Sequence, residues 1–110
     1  MHAAAALVAV LALAGPADHL SMRTARAKAL GAERAQAKRI APKLGRHVKI
    51  VRSHVGRCTR RSATVIDCRA ATTYLVAAVD DPGLYLADKT LTRSTWRISS
   101  PDGPAVPAPR

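Results

Sequence analysis

From Ser21 to Leu44 the chain alternates small apolar and charged residues at helical intervals. Leu30, Arg34, Ala37, Ala41 and Leu44 follow the three-four spacing, with Met22, Ala25, Ala29, Ala32 and Ile40 close by. Alanine, leucine, arginine, lysine and glutamine dominate, and all are good helix formers. The segment therefore predicts one helix, capped by Asp18 or Ser21. Pro42 should end or kink it near its close, because the residue before a proline is pushed out of the helical region. The apolar stripe is mostly alanine, which lets the helix approach a partner closely.

After Gly45 the period changes from helical to alternating. "HVKIVRSHV" (47–55) is rich in β-branched residues and predicts a first strand, with Gly56 allowing a bulge before Cys58. "TRRS" (59–62) predicts a turn. "ATVIDCR" (63–69) predicts a second strand with Ile66 and Cys68 on one face, and Val65, Asp67 and Arg69 on the other. "TYLVAAV" (73–79) reads as a third, more buried strand, followed by the turn "DDPG" at 80–83. "LYLADKTLTRSTWRI" (84–98) predicts a fourth strand, interrupted near Asp88, in which Trp96 and Ile98 share a face opposite Arg97. "SSPDGPAVPAPR" (99–110) has four prolines and no period, and predicts a disordered tail.

One amphipathic helix and about four strands with short connections predict an α+β domain. The N-terminal helix should lie across one face of an antiparallel sheet. The expected divisions are a leader at 1–17, a single small domain at 18–98 and the tail at 99–110. The leader rests on an apolar run from Ala3 to Ala14, too short to span a bilayer but suited to a secretory signal. Ala12-Leu13-Ala14 supplies small residues for cleavage before Gly15, and a second site lies before Asp18. Met1-His2 replaces the usual cationic start.

Export changes how the two cysteines read. Cys58 and Cys68 are the only pair, and an even count in a short secreted chain predicts a disulfide. Two rivals stay open. A redox pair wants C-x-x-C, which this spacing does not match. A metal site would recruit His47 and His54, but metal motifs normally present two ligands in one tight turn. A staple fits the composition best. Apolar residues make up 48% of the chain, yet much of this is alanine and phenylalanine is absent, so the core is thin.

The layout of leader, basic alanine-rich helix and then "VGRCTRRSATVIDCR" resembles small exported proteins of high-GC bacteria that have no assigned function. The likeness runs over roughly residues 1–86. It implies the helix-then-sheet architecture and carries no activity with it.

Charge points toward a partner. The net charge is +11 with a pI near 11.1, which favours anionic partners. From Asp18 to Arg61 thirteen Lys and Arg face only Asp18 and Glu33, whereas the five bases beyond Ser62 balance five acids. The expected anion-binding residues are Arg23, Arg26, Lys38, Arg39, Lys49, Arg52, Arg60 and Arg61, on the helix and first strand. Anionic envelope polymers, lipid head groups or an acidic protein would suit them. Lipid insertion is disfavoured, because the helix offers alanine where an interfacial helix offers Trp, Phe or Leu. The rival is a cytoplasmic nucleic-acid binder. The basic half lacks the aromatics that stack on bases, and no groove-reading motif is present.

Catalysis has less support. Ser53, His47, His54 and Asp67 can be drawn as nucleophile, base and orienting group, but nothing in their spacing requires it. No G-x-S-x-G, H-E-x-x-H or glycine-rich phosphate loop occurs, and no cofactor or metal is expected. The expectation is a secreted or envelope-associated, non-catalytic domain.

Overall fold

A computed structural model describes residues 19–77 and 87–109. The predicted leader and the "DDPG" turn lie outside the described residues. Within them, one helix packs on a four-stranded antiparallel sheet, an α+β domain. The elements run α1 (Met22–Leu44), β1 (Val48–Arg60), β2 (Ile66–Ala77), β3 (Ala87–Ile98) and β4 (Val106–Pro107), and the sheet order is β1-β2-β3-β4. The helix lies mainly over β1 and β2.

Helix α1 starts where Ser21 Oγ accepts from the Thr24 amide at 3.1 Å, satisfying an N–H that the helix itself leaves open. The helix absorbs Pro42 in its last turn and runs on to Leu44. Gly45 then leaves it at φ 154°, a positive value that disfavours any side chain. The buried stripe is Ala25, Ala29, Glu33 and Ala37, each four residues from the next. This is rotated from the expected stripe: Arg34 and Met22 are exposed, and the helix's one acid is buried. Alanine is the reason for the ambiguity. It lies on every side of this helix, so composition alone does not mark the inner face.

Three corrections concern the strands. The expected second and third strands are one, β2, because Arg69-Ala70-Ala71-Thr72 continues the ladder between two neighbours instead of breaking it. A central strand gains hydrogen bonds on both edges, which outweighs the low strand preference of alanine. Strand β1 runs to Arg60, so the turn falls after it, where the Arg61 and Ser62 amides both reach Val65 O. No break occurs at Asp88, which sits within β3.

The tail is also ordered through residue 109. Arg97 and Trp96 pair with Val106 and Pro107 as β4, and the Ala108 amide donates to Thr95 O at 2.8 Å. Proline is tolerated because β4 is an edge strand, where a missing N–H faces away from the ladder. Lys28 Nζ donates to Gly103 O at 2.8 Å, tying this segment back to the helix.

The core forms between the helix and one sheet face. Leu20, Ala25 and Ala29 meet Ile66, Cys68, Ala70, Trp96 and Ile98. Cys58 and Cys68 are direct cross-strand partners, joined by a disulfide with Cα atoms 4.0 Å apart. The expected sharing of faces holds: Ile66 pairs with Ile98, Cys68 with Trp96, and Asp67 with Arg97 on the far side. Strand β1 slips register twice, between Ile50 and Arg52 and between Val55 and Cys58. The second slip is the bulge expected at Gly56.

Candidate functional site

Two polar groupings stand out, one buried and one open. The buried one centres on Glu33, which is 1% exposed. Its Oε1 accepts from Trp96 Nε1 at 2.9 Å, and its Oε2 accepts from Thr72 Oγ1 at 2.6 Å. Thr72 has a single hydroxyl hydrogen and gives it to Glu33, so Ser53 Oγ donates to Thr72 across 2.8 Å. The chain Ser53–Thr72–Glu33–Trp96 thus links β1, β2, α1 and β3. It holds the helix in register over the sheet.

The open grouping lies on the sheet face that carries no helix. Residues on this face alternate with the core residues, so the position of Cys68 in the core places Asp67 and Arg69 opposite. Asp67 is 6% exposed and receives both oxygens' worth of donors from arginine: Arg97 Nε to Oδ1 at 2.8 Å, Arg97 Nη2 to Oδ2 at 2.9 Å, and Arg61 Nε to Oδ2 at 3.1 Å. The Arg97 hydrogen bonds, and then Arg61, hold the Asp67 carboxyl below its ordinary value of 3.8, against an opposing push from burial. Beside this pair lies a shallow concavity of about 770 Å³. His54, Ala71 and Arg93 stand in register across three strands in it, and Arg57 and Arg69 line its wall.

The eight expected anion-binding residues do not form one surface. Arg26 reaches from the helix to the β1 bulge, where its guanidinium donates to Gly56 O at 2.8 Å and Val55 O at 3.0 Å. A bulge leaves carbonyls without ladder partners, and Arg26 fills them. Arg60 donates to Ser62 O, Ala63 O and Leu20 O, fastening the turn to the chain entering the helix. Arg61 is occupied by Asp67. The remaining five, Arg23, Lys38, Arg39, Lys49 and Arg52, are exposed and have no partner among the described residues. Lys49 and Arg52 belong to the helix-free face and the other three to the helix.

Arg57, Arg69 and Arg93 were not among the expected residues. All three are exposed, and their side chains carry no hydrogen bond or ion pair among the described residues. For Arg57 and Arg69 the signal was present: each lies next to a cysteine that the disulfide turns inward, so each is directed outward. Arg93 needed the β2–β3 register, which no motif announces.

The residues once drawn as a catalytic set are not brought together. Ser53 bonds to Thr72 on the helix side, whereas His54 lies on the opposite face and Asp67 is filled by arginines. Among the described residues no three His, Cys, Asp or Glu side chains converge as metal ligands, and no helix is long and apolar enough to cross a membrane. Comparison with family models, curated proteins and solved structures finds no match for this chain.

Proposed function

We propose that this protein is a small exported, non-catalytic domain that binds an anionic envelope polymer through its basic surface. The observation that carries the reading is a surplus of uncommitted cations. Glu33 is buried among neutral donors and Asp67 is saturated by two arginines, so neither offsets the exposed bases. Arg23, Lys38, Arg39, Lys49 and Arg52 remain available to an outside anion. The buried Cys58–Cys68 bridge is consistent with an oxidising compartment.

A polymer suits this distribution better than a single small anion, because the cations lie on both layers of the domain. The described aromatics Tyr74 and Trp96 are buried, so they offer no stacking platform to nucleic-acid bases.

Retention on immobilised teichoic acid or heparin at physiological salt is the expected outcome. Elution at very low salt would reduce the charge to an aid to solubility. Intact mass of protein from its native host supplies the second measurement. Loss of the first 14 or 17 residues and a deficit of about two daltons report export and a closed disulfide together.

A further inference from the structure

The polyanion reading leaves open where on the domain the anion is recognised, and by what chemistry. We infer that the helix-free sheet face holds a binding site for tetrahedral oxyanion groups, built by Arg57, Arg69 and Arg93 around Ala71, and that its ligand is a base-free phosphodiester polymer. This inference rests on the proposal of polyanion binding and gives it a location.

Three features shape the site. The floor is small: Ala71 sits between His54 and Arg93 in register, and adjacent strands about 4.8 Å apart place those two backbones roughly 10 Å from each other. A large side chain at 71 would fill this gap, whereas a methyl leaves it open. The walls are cationic and uncommitted: Arg57, Arg69 and Arg93 border the concavity without a partner among the described residues. The third feature is the bulge. It places Gly56 and Arg57 together opposite the single residue Arg69, between the pairs Val55–Ala70 and Cys58–Cys68, and so crowds two arginines at one level of the sheet. Arg26 and the disulfide brace that bulge from the other side.

The number of arginines indicates the ligand's shape. On the same face, the two oxygens of Asp67 are saturated by Arg61 and Arg97. That planar carboxylate takes one bidentate guanidinium, Arg97, and a single Nε–H from Arg61. Three further guanidinium groups bordering one concavity suit an anion with more oxygens in three dimensions, as in a phosphate ester. Trp96 is the one described aromatic bordering the concavity, and it is 4% exposed with its indole N–H held by Glu33 on the helix side. It offers no open ring face on which a base could stack, so a polyol phosphate fits better than a nucleic acid.

The test measures binding of the oxidised full-length protein to poly(glycerol phosphate), with polyglutamate and a single-stranded oligonucleotide of equal charge as competitors. Arg69→Gln combined with Arg93→Gln should weaken binding of the phosphate polymer by about tenfold or more, since charge-assisted bonds are lost. Lys38→Gln combined with Arg39→Gln on the helix should weaken it less than about threefold. Ala71→Glu should act like the arginine pair by seating a carboxylate on the floor. Thermal unfolding and the Trp96 signal check that each variant keeps its fold. Equal effects of the helix and sheet pairs would overturn the site while leaving polyanion binding intact, and so would polyglutamate competing as well as the phosphate polymer. Tighter, base-dependent binding of the oligonucleotide would overturn the ligand. Absence of binding to every polymer would remove both this site and the function it rests on.

Discussion

At the scale of single residues, Glu33 and Asp67 do opposite things, and neither role follows from composition. Glu33 is an acceptor sealed beneath the helix. Replacing it by alanine strands the Trp96 indole N–H and releases Thr72, and buried donors without partners cost about 1–3 kcal/mol each. Urea titration of Glu33→Ala should therefore show a loss of about 2–4 kcal/mol. Glu33→Gln should fall between this and wild type, because its amide keeps one acceptor oxygen where the carboxylate had two. Asp67 sets a pH dependence instead. Its folded value lies below the 3.8 of the free group, so between the two values the unfolded chain binds more protons than the native one. The stability it contributes is complete well above pH 4 and is lost as pH falls through the folded value. Stability measured from pH 6 down to pH 2 should show this decline, and Asp67→Asn should flatten that part of the curve. In sequence nothing distinguishes Glu33 from a surface acid, because a lone acid among cations looks like charge relief. Its partner Trp96 lies 63 residues away and declares nothing until the register is known.

At the scale of elements, the first hairpin carries most of the reinforcement. Cys58–Cys68 closes a loop of ten residues across paired positions, which the loop-entropy relation values at about 2–3 kcal/mol. Reduction, or Cys58→Ser with Cys68→Ser, should lower the thermal midpoint by roughly 10–20 °C for a domain of this size. Calorimetry with and without reductant measures it. The disulfide, the bulge at Gly56 and the α+β layering were all legible, because each has a local marker: an even cysteine count, a glycine within a strand, and a change of period. The joining of the second and third strands was not legible. Alanine pairs are weak strand formers alone, and only neighbours on both sides make them one strand. The ordering of the last segment was hidden for a related reason. Proline density signals disorder unless an edge strand, here β3, offers a place to lie.

At the scale of the whole molecule, the division of charge between the two halves of the sequence does not survive folding. β2 and β3 come from the neutral half, yet they deliver Arg69 and Arg93 beside Arg57 of the basic half. The candidate site was therefore only partly legible. The sequence marks the abundance of cations, whereas pairing decides which of them are used internally, as Arg26, Arg60 and Arg61 are. A net charge of +11 also repels itself. Raising ionic strength from about 10 mM to about 150 mM shortens the Debye length from roughly 30 to 8 Å. The thermal midpoint should rise over that range while affinity for a polyanion falls. Paired melting and binding titrations in the same buffers should show the opposite slopes.

The two register slips in β1 have a consequence for how copies of this chain behave toward one another. β1 is an outer strand of 13 residues, long enough to template a neighbour. Each slip interrupts the even row of amides and carbonyls that a second ribbon would need, and Lys49 and Arg52 flank the first of them. Like charges would face each other if two such borders met. The same irregularity that crowds arginines on one side thus guards the domain against stacking into fibrils at high concentration.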